Sequence, residues 1–218
     1  VNTNNVGLAV SDYIIEALFS PETAYIADGH HRTAAAARYA RERNFEGESR
    51  YIMAVAFPAS ELGIMPYNRL VKGLNGLSPY EFLSNVSQSF GIDGDDKGAR
   101  GCRMYFRGAW RELSWNIPHG VNAIESLDAS YLQTHLLSKI LGISDPRTDK
   151  RISFVGGIHG EAALERQVDS GEADVAFSMQ AVTMDEIMSI ADAGGIMPPK
   201  STWFEPKLRS GLFIHRFN

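Results

Sequence analysis

Residues 25–32 have the sequence Tyr25-Ile26-Ala27-Asp28-Gly29-His30-His31-Arg32, and Thr33 and four alanines follow at once. The three apolar residues favour a strand, the Asp-Gly pair favours a turn, and the alanines favour a helix. Both histidines and Arg32 then lie on the first turn of a helix, where free backbone N–H groups and the positive end of the helix dipole attract anions. This stretch therefore predicts a strand, a turn and a helix with an anion site at the turn.

The residue types at the turn have two interpretations. Gly29 allows a ligand to approach the backbone, Arg32 offers a fork of donors matched to phosphate, and Asp28 is able to orient a histidine or hold a hydrated metal ion. However, Asp-Gly is also a common turn, and Asp is a good helix cap. Adjacent histidines point in different directions on a helix, so one of them is solvated in the simpler interpretation. Spacing alone leaves both interpretations open.

Two further segments accompany the turn in the sequence. Residues 65–71 are Met-Pro-Tyr-Asn-Arg-Leu-Val, and residues 197–212 are Met-Pro-Pro-Lys-Ser-Thr-Trp-Phe-Glu-Pro-Lys-Leu-Arg-Ser-Gly-Leu. Together with residues 25–32, and in this order, they resemble the signatures of the bacterial and archaeal family called domain of unknown function 1015. That family usually has histidine at the position of Asn68. The resemblance covers essentially the whole chain.

The Asp-Gly-His-His-Arg box is similar to the nucleotide-binding box of the ParB/sulfiredoxin-like superfamily. That group includes CTP-binding partition proteins, ATP-using sulfiredoxins and ADP-dependent free serine kinases, in which the glycine-to-helix turn holds nucleotide phosphates. The resemblance implies a ParB/sulfiredoxin-like core. It also implies phosphate-site candidates, which are Asp28, Gly29, His30, His31, Arg32 and Thr33.

The segment 197–211 presents two cations and two hydroxyls on a loop that two prolines stiffen. Lysine binds phosphate as a point charge, and serine or threonine holds Mg²⁺ in nucleotide enzymes. Sequence alone favours a solvated loop, whereas the resemblance favours a functional one. Under the functional interpretation the phosphate contacts are Lys200, Ser201, Thr202 and Lys207, with Arg69 as a further contact.

The resemblance implies nucleotide-dependent phosphotransfer to a small hydroxyl-bearing metabolite, with ATP, ADP or CTP as the nucleotide. Asp28 is the expected Mg²⁺ ligand or base, while His30, His31 and the nearby cations neutralise phosphate charge. One alternative is a non-catalytic nucleotide-binding or ligand-binding regulatory module, which is favoured if Asp28 only caps the helix. Another is a scaffold whose active groups lie upstream, because family members have a substantial segment before the box. We therefore expect this chain to be the C-terminal part of a longer protein.

Composition bounds these expectations. The chain has 218 residues, 44% of them hydrophobic and 22% charged, which is typical of a soluble globular protein. A net charge of −5 argues against a nucleic-acid partner. No apolar run approaches the roughly 20 residues that span a bilayer, so we expect a cytoplasmic protein without membrane partners. The single cysteine, Cys102, excludes an internal disulfide and favours a buried thiol over a nucleophile. The oligomeric state does not follow from the sequence.

Periodicity and turn residues predict an α/β fold, with helices packed on a mixed, partly parallel sheet. We expect a single domain over residues 1–218, with a possible subdomain break near 91–101. The expected helices cover residues 9–19, 31–43, 79–90, 128–141 and 160–169 and a segment capped by Thr183, and the expected strands cover 25–27, 50–57, 152–155, 173–179 and 211–215 with a hairpin over 104–115. Residues 65–69 and 91–101 are expected loops. The turn at 156–160 is a second phosphate candidate or simply a tight turn, and His135 is an expected core or interface residue.

Overall fold

The computed structural model describes residues 23–94 and 98–207, together with residues 209, 211 and 214. Contacts divide the chain into two compact units, residues 1–61 with 207–218 and residues 62–206. The expected helix over 9–19 lies outside the described residues, as does most of the expected strand over 211–215. Residues 91–101 fall inside the second unit, and the single-domain expectation stays a prediction.

The first unit contains helix α1, His30–Glu42, followed by 3-10 turns at Gly47–Arg50 and Ala59–Glu61. Residues 23–27 and 51–58 have no regular secondary structure, so the strands expected over 25–27 and 50–57 are wrong. Ile26 and Met53 are exposed. An apolar run becomes a strand only when a neighbour pairs with its backbone, and composition does not supply that neighbour.

A six-stranded sheet forms the centre of the second unit, in the order β3-β5-β4-β7-β2-β6. Its strands are β2 Tyr67–Val71, β3 Gly91–Ile92, β4 Arg100–Phe106, β5 Ala109–Trp115, β6 Ile152–Gly156 and β7 Val175–Met179. A separate two-stranded sheet pairs β1, Gly63–Met65, with β8, Trp203–Glu205. Residues 65–69 therefore belong mostly to strands, and the loop expected there is wrong.

The α/β class is confirmed, but the parallel pairing expected within a mixed sheet is wrong. Every ladder among the described strands is antiparallel. The strand–helix–strand rhythm that suggested parallel pairing does make β6 and β7 point the same way. However, β2 lies between them and pairs with both in the opposite direction. The alternation of strands and helices along the chain therefore predicts the relative direction of β6 and β7, but it does not predict which strands pair.

Helices cover both faces of the six-stranded sheet. They are α2 Pro79–Ser89, α3 Asp128–Leu132 continuing as a π-helix over Gln133–Ser138, α4 Glu161–Asp169 and α5 Met184–Asp192. Capping boxes at Ser78 and Thr183 begin α2 and α5, as predicted. The main core lies on the face that includes Val71 and Phe177, and a smaller cluster around Leu164 lies on the other.

Candidate functional site

Helix α1 begins at a glycine in the left-handed backbone conformation. Gly29 has φ 85°, which an L side chain rarely adopts. The Gly29 N–H donates to Asp28 Oδ1 at 2.7 Å, and the Thr33 N–H donates to the Gly29 carbonyl at 2.9 Å. The predicted turn and helix are therefore confirmed, and the turn requires its glycine.

No side chain caps α1, as is also true of α3 and α4, but α1 differs from the other described α-helices because no acidic residue lies in its first turn. The Arg32 guanidinium instead folds back over the turn, with Nη2 3.1 Å from the position that a Cβ on Gly29 would occupy. Cations are unfavourable at the positive end of a helix dipole, and the first N–H groups have no intrahelical partners. The arrangement favours an anion at this turn.

Lys207 also lies at this turn, with Nζ 3.5 Å from Asp28 Oδ2. Partial burial raises the pKa of Asp28, but the Gly29 N–H, Lys207 and Arg32 outweigh it and hold the pKa below its usual value. Asp28 is therefore ionised at neutral pH, as a metal ligand or a base requires. Two of the three sequence motifs thus contribute side chains to the first unit's turn.

The predicted roles of the other residues at this turn stay predictions. His30 is exposed and Thr33 is half-buried. No cluster of three or more metal-ligating side chains occurs within the described parts of the chain. Magnesium at Asp28, and catalysis by His30 and His31, therefore rest on the residue types and the resemblance.

A second cluster of predicted residues lies in the second unit. Strand β8 pairs with β1, and the Trp203 ring packs edge-on against Tyr67 at 5.4 Å. A Cβ on Gly156 would lie 2.8 Å from the Trp203 ring, so glycine is required for this packing. These contacts place residues 200–202 beside the beginning of β2.

Arg69 is the central residue of this cluster and is only 5% exposed. Its guanidinium donates to the Tyr67 carbonyl and, at 3.5 Å, to the Lys200 carbonyl. It also lies 5.7 Å from the centre of the Phe154 ring. No carboxylate of the residues that the structure describes forms an ion pair with it. Burial lowers the pKa of Arg69 to about 10, so the group remains a cation at neutral pH.

The neighbours of Arg69 have different environments. Ser201 is 4% exposed, and its hydroxyl has no hydrogen-bond partner among the described residues. The Lys200 Nζ lies 4.9 Å from the centre of the Tyr67 ring, while Thr202 is half-buried. The structure therefore brings Arg69, Lys200 and Ser201 together, although their phosphate contacts stay predictions.

The Asn68 side chain has a structural role in the sheet. It is 3% exposed, and its Oδ1 accepts a hydrogen bond from the Met179 N–H at 3.0 Å. The backbone pairing of β2 with β7 runs from Arg69 to Val71. The side-chain amide thus continues that pairing by one more bond.

Sequence reasoning missed three charged residues beside Arg69. Arg100, Asp128 and Glu186 line the same small cavity as Arg69 and Ser201. Asp128 was expected only to cap a helix, whereas Leu127 is the cap and Asp128 is the first helical residue. An acid at a helix start is ordinary, so no sequence signal marked this one.

The structure favours packing roles for three other candidates. A Cβ on Gly157 would lie 2.8 Å from Pro66, and Glu161, in the turn that follows, forms an ion pair with Arg103. These contacts favour a tight turn at 156–160 over a phosphate site, because the acid Glu161 begins the helix that follows. His135 is half-buried with its ring 4.1 Å from that of Tyr131. Cys102 is buried as predicted, and burial raises the pKa of its thiol.

Comparison with known proteins identifies the family. The model of the family described as "Protein of unknown function (DUF1015)" matches residues 9–130. The chain belongs to this family. No curated protein matches it. No helix among the described residues of this family member has the length and apolar character needed to cross a membrane.

Several solved structures are similar to the chain at low identity. A free serine kinase in complex with AMP is 15% identical with a TM-score of 0.46, and a mutant of it in complex with ADP is 14% identical with a TM-score of 0.45. A conserved hypothetical protein from Pyrococcus furiosus is 17% identical with a TM-score of 0.44. Each match covers 82% of this chain. The chain spans 66% of the kinase chains and 68% of the archaeal protein.

Proposed function

We propose that the chain binds a nucleotide through its phosphate groups at the turn formed by residues 28–33. The observation that carries this proposal is the start of α1, where a left-handed glycine precedes an uncapped, acid-free first turn that contains Arg32. Backbone N–H groups and a guanidinium fork together match the oxygens of a phosphate. The resemblance of this box to known nucleotide-binding boxes supports the same ligand.

We further propose that the bound nucleotide donates a phosphoryl group to the hydroxyl of a small metabolite. Phosphoryl transfer depends mainly on positioning and on stabilisation of charge, which Arg32 and His30 supply at this turn. Asp28 is the candidate base or Mg²⁺ ligand, because it is the carboxylate at this turn and its lowered pKa keeps it ionised at neutral pH. ATP, ADP and CTP are the candidate donors.

A non-catalytic binding module is the second candidate function. Asp28 already accepts the Gly29 N–H and pairs with Lys207. These contacts favour a carboxylate that shapes the turn over one that reacts. In that case nucleotide occupancy regulates the protein, and no group is transferred.

Calorimetric titration tests the binding proposal on the full chain. We would titrate ATP, ADP, AMP, CTP and pyrophosphate, each with and without Mg²⁺, into the wild type and Arg32→Ala. Loss of about two charge-assisted hydrogen bonds should weaken binding on the order of 100-fold. Arg38→Ala, an exposed arginine farther along α1, is the matched control and should bind like the wild type. Equal affinity in all three proteins would refute the site.

Asp28→Asn separates the two candidate functions. Its amide oxygen is still able to accept the Gly29 N–H, so nucleotide binding should persist. Phosphorus NMR of the nucleotide with a panel of hydroxylated acceptors then reports transfer. Transfer by the wild type that is lost in Asp28→Asn supports the kinase. Binding by both proteins without transfer to any acceptor supports the regulatory module.

A further inference from the structure

A small polar cavity of the second unit lies between the sheet and the loop before β8. Arg69, Asp128 and Ser201 contribute to its wall, and Arg100 and Glu186 lie at the same cavity. Its volume of about 10 Å³ is room for roughly one water molecule or one ligand oxygen.

The Ser201 hydroxyl at this cavity lacks the partner that a buried polar group normally has, because no described residue forms a hydrogen bond with it. Arg69, which lines the same cavity, hydrogen-bonds to two backbone carbonyls but has no ion pair with a carboxylate of the described residues. Buried hydroxyls are rarely left unpaired, and one that shares a cavity with a buried cation favours a bound acceptor.

The charges at the cavity favour an anionic ligand. Arg100 is already neutralised, since its Nη2 lies 2.6 Å from Glu186 Oε1 and its Nη1 lies 3.6 Å from Asp128 Oδ2. When Asp128 is protonated, Glu186 alone balances Arg100, and the positive charge of Arg69 has no counter-ion among the described residues. A guanidinium and a hydroxyl both donate, so a negative oxygen satisfies them together.

We propose that this cavity binds one oxygen of a small oxyanion, held by Arg69 and Ser201, with the protonated carboxyl group of Asp128 as a third donor. The ligand's acidic group is a carboxylate or a phosphate. A neighbouring groove of about 420 Å³ shares Arg100, Met179 and Gln180 with the cavity and has room for the rest of the molecule. This site is built entirely from the second unit and does not rest on nucleotide binding by α1.

Binding at this site takes up a proton. Burial raises the pKa of Asp128 to about 6, against the opposing effect of Arg100. Glu186 raises the pKa of Asp128 further, whereas a hydrogen bond from the Trp115 indole lowers it. Asp128 is therefore the group at this cavity that titrates near neutral pH. The affinity for an ionised ligand should fall about tenfold for each pH unit above 6.

The test uses the full chain, with acetate and inorganic phosphate as probes between pH 5.5 and 8. Acetate reports the pH dependence cleanly, because phosphate itself titrates in this range. Saturable binding of acetate alone identifies a carboxylate site, and tighter binding of phosphate identifies a phosphate site. Inorganic phosphate is titrated into Arg32→Ala, because the α1 turn is itself a proposed phosphate site, and saturable binding that persists in this variant is assigned to the cavity.

Ser201→Ala tests the hydroxyl. Loss of a donor to a charged oxygen should weaken binding about tenfold. The melting temperature should stay the same or rise, because the substitution removes a buried hydroxyl without a partner. Ser49→Ala is the matched control, since Ser49 is also buried but its hydroxyl donates to the Glu46 carbonyl at 2.6 Å. This control should lose stability and keep the affinity.

Asp128→Asn tests the third donor. An amide donates at every pH, so this variant should bind acetate with an affinity that no longer changes between pH 5.5 and 8. Absence of saturable binding at pH 5.5, or equal binding by Ser201→Ala and the wild type, would overturn the site. A pH dependence that persists in Asp128→Asn would overturn the role of the carboxyl group.

Discussion

The two cationic clusters of this chain are built in opposite ways. The α1 turn is open, with Arg32 exposed and the Asp28 side chain 50% exposed. The Arg69 cluster is buried in the second unit, with Ser201 only 4% exposed. An open turn has room for a large ligand, but its charges are screened by water and salt. A buried cluster holds its groups in fixed positions, admits a small group, and costs stability while its polar atoms lack partners.

The largest effect is expected for Arg32→Glu in the open turn. The substitution removes the guanidinium donors and adds a negative charge where we propose phosphate, so nucleotide affinity should fall by about 100-fold or more. The same change gives α1 an acid in its first turn, which should stabilise the helix by about 0.5 kcal/mol. Calorimetry measures the first effect, and hydrogen exchange of the α1 amides measures the second. Arg38→Glu should leave nucleotide affinity unchanged, and a matching loss in that control would remove the assignment to the turn.

The free energy of unfolding should depend on pH through Asp128, which lines the cavity beside the buried cluster. The folded pKa of Asp128 is about 6 against an ordinary value of 3.8, so the folded state holds this proton more tightly than the unfolded state. The associated stability is fully present below pH 4 and is lost as pH rises through 6. Between pH 4 and 7, the wild type should lose up to about 3 kcal/mol of unfolding free energy relative to Asp128→Asn.

Urea unfolding at each pH measures this difference. Asp145→Asn is a useful contrast because Arg147 lowers the pKa of the exposed Asp145. The stability that Asp145 contributes is present above its ordinary pKa and is lost as pH falls, which is the opposite sign. Parallel pH profiles for the wild type and Asp128→Asn would contradict the raised pKa and weaken the proton-linked site.

Features set by neighbouring residues were predictable from the sequence. The capping boxes at Ser78 and Thr183 begin helices as expected, and the hairpin of β4 and β5 turns at Arg107-Gly108 as expected. Each depends on contacts within a few residues. The left-handed turn at Gly29 belongs to the same class, which is why residues 28–33 could be placed correctly.

Features set by distant residues were not predictable. Residues 50–57 have the composition of a buried strand, yet Tyr51, Met53 and Val55 are exposed. Conversely, residues 65–69 look like a loop around Pro66, yet residues 67–71 form a central strand of the sheet. The choice depends on which strands pair across long separations. Asp128 was missed for the same reason, since only the folded sheet brings it to the cavity beside Arg69.

Gly29→Ala tests the role of the open turn and should have a smaller effect than Arg32→Glu. The left-handed φ costs an alanine about 1 kcal/mol. Its Cβ would lie 3.1 Å from Arg32 Nη2, so the guanidinium would have to shift by a few tenths of an ångström. We expect a loss of stability together with weaker nucleotide binding. Gly108→Ala is the matched control, because Gly108 has φ 78° and no neighbouring atom within 4 Å of the added Cβ. It should cost a similar stability without changing affinity, and equal loss of affinity in both would trace the effect to stability alone.

The smallest expected effect compares the uncapped start of α1 with the capped start of α2. The Ser78 hydroxyl accepts the Glu81 N–H, and Glu81 Oε2 accepts the Ser78 N–H at 2.8 Å. Phe82 and Val86 anchor α2 in the main core, so fraying at its start reduces the stability of the second unit. Ser78→Ala should cost about 1 kcal/mol in urea unfolding and leave nucleotide binding at α1 unchanged. A Ser78→Ala variant as stable as the wild type would show that a missing cap costs little in this protein, and the uncapped start of α1 would then lose its weight as evidence for a ligand.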